Sequence, residues 1–228
     1  MMNTPPPRPE TRPILGIDTS SGQGGIALYD GQSLSTRSWP ADRSHTTTLL
    51  AEIHHLLDRS EVRVRELGAV AIATGPGTFT GLRVGFGVAK GFHLATGVPL
   101  IGIPTLEVTA LGLAACGTPI VAVVGAGRGR VVWARYDPST EGLTQSRTPR
   151  NGTVNELLEE VQGSGPVLVT GEIDDELAGL LYQTDGVSMP PMPLRMRHPG
   201  ALAELAWRRW QAGDIDEATG IEPVYPSR

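Results

Sequence analysis

The chain has 228 residues, enough to bury a core in one large domain or in two lobes of about 100 residues each. Its 24 acidic residues outnumber its 19 lysines and arginines, so no overall basic field attracts nucleic acid. Because Cys116 is the single cysteine, an internal disulfide is excluded, and we expect it to be buried as a small apolar residue.

Residues 1–12 are rich in proline and have no apolar core of the length of a signal peptide. We therefore expect a disordered lead. No run of about 18 apolar residues is present that could span a membrane. The sequence predicts a cytoplasmic protein that does not contact a membrane.

The first half of the chain reads as three strands followed by alternating helices and strands. Apolar runs and turn residues predict strands at 14–17, 25–30 and 34–39, an amphipathic helix at 44–59, a strand at 70–73, a helix at 81–96 and a strand at 100–103. Strands that follow helices pair in parallel through right-handed crossovers. The order is βββαβαβ.

The second half repeats this order. It predicts a helix at 106–115, strands at 120–124, 131–136 and 143–147, a helix around 157–161, a strand at 167–170, a helix at 174–182 and a last helix at 200–212 closed by Gly213. The duplication indicates two similar α/β lobes, each a mixed sheet of order βββαβα. We expect an N-terminal lobe at 13–104, a C-terminal lobe at 105–216 and a tail at 217–228.

The helix at 81–96 is unusually rich in glycine. Two ridges with a step of four residues carry almost no side chain, one formed by Gly81, Gly85 and Ala89, the other by Gly87, Gly91 and Ala95. Four helical glycines cost about 3–4 kcal/mol relative to alanine. We expect close approach of another backbone to compensate for this cost.

The first strand ends in Asp18, Thr19 and Ser20, next to a turn of small residues. In phosphotransferases with duplicated lobes, a carboxylate in this place holds a metal, and backbone N–H groups approach phosphates. Alternatively, these side chains only stabilise the turn by hydrogen bonds to the backbone. Both interpretations remain open.

Other catalytic signals are missing from the sequence. The corresponding loop of the second half, Gly125 to Arg130, has no carboxylate, and no Walker loop or nucleophile elbow occurs. No two histidines are spaced i, i+4, so we predict no metal site, no cofactor and no catalytic residue. Four arginines could contact RNA phosphates or form ion pairs, namely Arg195, Arg197, Arg208 and Arg209.

Several segments resemble the TsaB (YeaZ) family. They are ILGIDTSSGQGGIALYDG (14–31), RSHTTTLLAEIHHLL (43–57), GPGTFTGLRVGFGVAKG (75–91) and GVPLIGIPTLE (97–107), with weaker similarity in VWARY (132–136) and the tail EPVYPSR. The resemblance implies an actin/Hsp70/sugar-kinase (ASKHA) fold of two duplicated lobes. At the start of the second lobe the chain departs from the family pattern, since an acidic residue is usual where Gly125 stands.

The resemblance also implies a function. TsaB proteins are needed for the tRNA modification threonylcarbamoyladenosine, as non-catalytic scaffolds that bind the catalytic subunit TsaD and, through it, the ATPase TsaE. They form homodimers without that partner and meet tRNA only through the complex. By this resemblance, Asp18, Thr19 and Ser20 are the remnant of a phosphate loop.

In the family the partner surface is a bundle of the first two helices, here residues 44–59 and 80–96. The residues expected at this surface are His45, Leu49, Ile53, Leu56, Leu82, Arg83, Gly85, Phe86, Gly87, Lys90 and Gly91. Two alternatives remain. One is a small-molecule kinase-like phosphotransferase that uses Asp18, and the other is a glycoprotease-type peptidase, for which the sequence has no assembled nucleophile and base.

Overall fold

The computed structural model describes residues 12–40, 45–140 and 142–225, without the side chains of 45–47. The predicted lead at 1–12 therefore lies outside the described residues except for Arg12. No helix in the described ranges is long and apolar enough to cross a membrane.

The first half of the chain forms a five-stranded sheet with the order β3-β2-β1-β4-β5. The strands are β1 (Ile14–Asp18), β2 (Gln23–Tyr29), β3 (Leu34–Pro40), β4 (Ala69–Gly75) and β5 (Leu100–Pro104). The first three form an antiparallel meander, and β4 and β5 continue the sheet in parallel with β1. The parallel connections contain helices α1 (His45–Arg59) and α2 (Phe79–Thr96).

The second half forms a six-stranded sheet with the equivalent order β11-β10-β6-β7-β8, and β9 also pairs with β7. The strands are β6 (Ile120–Gly127), β7 (Arg130–Ser139), β8 (Gly142–Gln145), β9 (Arg150–Thr153), β10 (Val167–Gly171) and β11 (Val187–Ser188). Its parallel connections contain α4 (Val154–Val161) and α5 (Asp175–Tyr182). The predicted duplication of βββαβα is confirmed.

Three further helices complete the described chain, α3 (Thr105–Leu111), α6 (Met192–Arg195) and α7 (Pro199–Gln211). Helix α3 packs on the second sheet, where Leu106 and Ala110 join the core around Ile120. Helix α7 packs on the first sheet, where Leu202 lies in a cluster with Ile14. Helices α3 and α7 also contact each other, so the two lobes meet through them.

Helix α7 ends close to the residue that the sequence predicts. Gly213, which follows it, has the left-handed φ of 73° that is typical of a glycine at the end of a helix. Chain order places this helix in the predicted C-terminal lobe, although its apolar face covers the N-terminal sheet. The lobe boundaries at 13–104 and 105–216 therefore stay a prediction.

Helix α3 is shorter than predicted, and this changes the environment of the cysteine. The helix ends at Leu111 before Gly112, and a 3₁₀ turn, Ala114–Cys116, follows. Cys116 is exposed there, so the prediction that it is buried is wrong. The apolar pattern continues past the glycine, but the turn carries this side chain away from the core.

The two glycine ridges of α2 have different surroundings. A Cβ atom added to Gly81 would overlap the backbone oxygen of Thr19, and one added to Gly85 would overlap the hydroxyl of the same residue. The Thr19 hydroxyl donates a 2.7 Å hydrogen bond to the carbonyl of Gly81. Gly87 and Gly91, on the other ridge, have no described atom within 4 Å of an added Cβ. One ridge is therefore sealed inside the monomer, and the other is open.

We expect Gly81→Ala and Gly87→Ala to have opposite effects on stability. Gly81→Ala should lower the free energy of unfolding by about 1–3 kcal/mol, because the new methyl group overlaps a fixed backbone oxygen. Gly87→Ala should raise it by up to about 1 kcal/mol, because alanine favours the helix and the site is open. Urea unfolding at equal protein concentrations measures both, and equal midpoints for the two variants would contradict the assignment of the ridges.

Candidate functional site

The predicted phosphate-loop residues lie in the turn between β1 and β2, and all three are buried. The Asp18 carboxylate accepts hydrogen bonds from the backbone N–H of Ser20 at 2.9 Å and from its hydroxyl at 2.5 Å. The Thr19 hydroxyl is used by the bond to Gly81. The bonds between Ser20 and Asp18 are local to the turn, as the alternative interpretation expects, whereas the Thr19 bond joins the turn to α2. A phosphate-binding origin for the loop stays a prediction.

A buried arginine that the sequence did not connect with this turn lies against it. The Nε atom of Arg197 is 3.2 Å from Asp18 Oδ2, and its Nη2 atom is 3.0 Å from Glu172 Oε1. The Arg197 side chain is only 6% exposed. The other oxygen of Glu172 accepts a 2.9 Å hydrogen bond from the N–H of Gly125. The guanidinium thus connects the end of β1 with the loop after β10 and the end of β6.

The electrostatics of this arginine follow from its two partners. Burial by itself lowers the pKa of Arg197, because the charged form loses its water. The carboxylates of Asp18 and Glu172 more than offset this, and the pKa of Arg197 is raised above its ordinary value. The guanidinium is therefore charged at any pH at which the protein is folded.

The position of Arg197 bears directly on metal chemistry. A metal-dependent phosphotransferase needs a carboxylate free to hold a cation, whereas a charged guanidinium already pairs with Asp18. Within the described ranges, no three histidine, cysteine or acidic side chains are grouped so that they could hold a metal ion. The site as observed is suited to holding the two lobes together.

Three of the four arginines that could have contacted RNA phosphates form ion pairs with carboxylates. Beside Arg197, Arg208 pairs with Glu204 at 2.7 Å, and Arg209 pairs with Asp214 at 2.7 Å. These contacts agree with the ion-pair interpretation. Arg195 is different, because it lines a cavity beside Arg197.

About half of the predicted partner surface is buried in the structure. Six of the predicted residues are buried in the core of the first lobe: Leu49, Ile53, Leu56, Leu82, Gly85 and Phe86. Their apolar spacing marks the face of each helix that covers the protein's own sheet, and a role for these six residues in partner binding stays a prediction. His45 begins α1, but its side chain lies outside the described residues.

The remaining predicted residues lie on the outer side of α2. Arg83, Gly87 and Gly91 are exposed at steps of four residues, and Lys90 beside them is partly buried. Leu94 continues this stripe and is 84% exposed, the largest exposure among the large apolar side chains of the described chain. The sequence analysis missed Leu94, although a leucine one turn beyond the open glycines was the available signal. We call Arg83, Gly87, Gly91 and Leu94 the outer stripe.

The tail is attached at the beginning of the outer stripe. The Arg83 guanidinium carbon lies 3.8 Å from the ring centre of Phe79, and the Phe79 and Tyr225 ring centres are 5.2 Å apart. The N–H of Val224 donates a 2.7 Å hydrogen bond to the carbonyl of Thr74. The stripe and the tail therefore form one continuous surface.

We expect Arg197→Met to destabilise the protein by about 3–5 kcal/mol, because it leaves the buried carboxylate of Asp18 without its cation. Arg208→Met is a matched control, since that arginine pairs on the surface with Glu204 four residues earlier; it should cost less than about 0.5 kcal/mol. Thermal unfolding of both variants checks this, and similar losses in the two would show that the Arg197 contacts are not structural.

Several known proteins with similar sequences are named for one tRNA modification. The family model described as TsaD, tRNA N6-adenosine threonylcarbamoyltransferase, matches residues 40–169, more than half of the chain. The chain is 29% identical over 223 residues to the tRNA threonylcarbamoyladenosine biosynthesis protein TsaB of Escherichia coli K12, with 93% of each chain covered. It is 32% identical over 125 residues to TsaB of Buchnera aphidicola from Schizaphis graminum, with 54% of this chain and 60% of that protein covered.

Solved structures show the same fold. YeaZ from Pseudomonas aeruginosa matches with a TM-score of 0.75 and 22% identity, over 93% of this chain and 99% of that one. A protein described as similar to peptidase YeaZ from Pseudomonas aeruginosa matches with a TM-score of 0.79 and 22% identity, over 94% and 99%. Together with the duplicated sheets, these matches confirm the predicted fold of two duplicated α/β lobes.

Proposed function

We propose that this chain, which belongs to the family of the TsaD model and within it to the TsaB (YeaZ) proteins, acts in the biosynthesis of threonylcarbamoyladenosine in tRNA. The observation that carries the proposal is the match to the E. coli TsaB protein along 93% of both chains. Because that protein is named for this pathway, the same pathway is the simplest function for this chain.

Within this pathway we assign the chain a non-catalytic role as the binding partner of a TsaD-like catalytic subunit. The pairing of Asp18 with Arg197 supports such a role, since the carboxylate of the cleft is used for structure. The outer stripe is the docking surface in this proposal. Exposed glycines let another helix approach closely, and Leu94 offers an apolar side chain to bury.

The same surface would serve the homodimer when the partner is absent, so the two assemblies exclude each other. An interface of standard size buries about 1,200–2,000 Å² in total, more than the stripe alone provides, and α1 would add to it through Leu50, which is 51% exposed. A TsaE-like ATPase and tRNA join through the catalytic subunit. This role places the chain in the cytoplasm.

Deletion of the gene tests the pathway. We expect total tRNA from the deletion strain to lose threonylcarbamoyladenosine, measured by nucleoside mass spectrometry, and a plasmid copy of the gene to restore it. An unchanged level of the modification in the deletion strain would remove the proposed function, whatever the chain binds.

Gly87→Leu tests the docking surface. We expect at least about a tenfold loss of affinity for the TsaD-like subunit of the same organism, because the leucine occupies the space needed for close helix packing. Calorimetric titration with the purified subunit measures the affinity.

Gly179→Leu is the matched control for this variant. Gly179 is also an exposed helical glycine with no described atom within 4 Å of an added Cβ, but it lies on α5 in the second lobe. Its variant should bind normally. If Gly87→Leu is folded and binds as tightly as the control, the outer stripe is not the docking surface.

A further inference from the structure

A cavity of about 250 Å³ lies between the lobes, beside the buried ion pairs of Arg197. It is bounded by the turn after β1, the loop after β10 and the segment of α6. The side chains that matter for its chemistry are Gln23, Ile173, Met192, Arg195 and Met196. The charged side chains of Glu172 and Arg197, which pair with each other, also line it. The walls thus combine apolar groups and this ion pair with the guanidinium of Arg195, which the proposed function does not use.

Two nitrogen atoms of that guanidinium, Nε and Nη1 of Arg195, are buried and have no hydrogen-bond partner in the described part of the chain. The neighbouring carboxylates are already engaged. Asp18 bonds to Ser20 and Arg197, and Glu172 bonds to Arg197 and to the N–H of Gly125. Leaving charged donors buried and unpaired is costly, and the structure offers them no acceptor of its own.

We propose that this cavity binds a small organic acid through Arg195. A carboxylate or a phosphate monoester accepts charge-assisted hydrogen bonds from a guanidinium N–H, which are stronger than hydrogen bonds between neutral groups. A short apolar body on the acid contacts Ile173 and the two methionines. The cavity is smaller than most drug-sized sites, which begin at about 300 Å³, and this limits the ligand to a few carbon atoms beyond the acid group.

Access to the two buried nitrogens requires movement at the rim. Met192 is 61% exposed and Met196 is 44% exposed, and both are unbranched side chains with three rotatable bonds. Both line the cavity together with Arg195, so a change of their rotamers would alter the width of the cavity without moving either sheet. This site is separate from the outer stripe, so its presence does not depend on the proposed partner.

Calorimetric titration of the full chain tests the proposal, with pentanoate, butyl phosphate, inorganic phosphate and neutral pentanol as probes at constant ionic strength. We expect binding of pentanoate, butyl phosphate or both, weaker binding of inorganic phosphate and none of pentanol. The stronger of the two acids identifies the acid group. Binding of neither acid, or equal binding of pentanol, overturns the proposal.

Arg195→Met identifies the residue responsible. We expect affinity for the bound acid to fall about tenfold or more, because the charge-assisted hydrogen bonds are lost. Arg208→Met, which removes an arginine paired on the surface, should leave the affinity unchanged. Equal binding by Arg195→Met and the unaltered protein contradicts the assignment.

Unfolding measurements keep this test interpretable. Without ligand, Arg195→Met should unfold at the same or a higher temperature, since it removes unpaired buried donors. If that variant does not fold, Met192→Glu is the second test. It adds a carboxylate at the exposed rim and should weaken acid binding about tenfold by charge repulsion; unchanged binding in a folded Met192→Glu protein counts against the site.

Discussion

The buried guanidinium of Arg197 is the interaction on which the arrangement of the two lobes depends. Its partners, Asp18 and Glu172, lie at the ends of strands in different sheets. The guanidinium and the Asp18 carboxylate are each only 6% exposed, and neither can be buried at low cost alone. Glu172 is 37% exposed and supplies the second partner of the guanidinium, so all these contacts form only when both strand ends come together. Arg197 also stands just before α7, where the chain leaves the second lobe and covers the first sheet.

The same contact bears on the chemistry that a cleft between two such lobes can perform. In such a cleft a free carboxylate at the end of β1 attracts a cation, and the turn beside it can approach a phosphate. Here the carboxylate of Asp18 already accepts hydrogen bonds from Ser20 and Arg197. In this structure the carboxylate at the end of β1 is part of the contact between the lobes.

Local patterns were sufficient to predict most elements, and contacts between distant residues were not predictable from them. The duplicated strand order follows from apolar runs and turns, whereas β11, with two residues, is too short for any periodic signal. The pair Asp18–Arg197 joins residues 179 positions apart, beyond what spacing can reveal. Likewise, the spacing of Leu49 and Ile53 identifies an apolar face, but it does not say whether the protein's own sheet or a partner covers it.

The two ridges of α2 separate these possibilities on physical grounds. The inner ridge needs glycine because Gly81 and Gly85 touch the turn of Thr19, and the close packing compensates for their low helix propensity. Gly87 and Gly91 cost the helix about 2 kcal/mol together, and an added Cβ atom at either would have no described atom within 4 Å. This loss of helix stability has no compensation inside the described monomer, and packing of a second helix against the outer stripe would explain it. For this reason we propose the outer stripe, and not the cleft, as the docking surface.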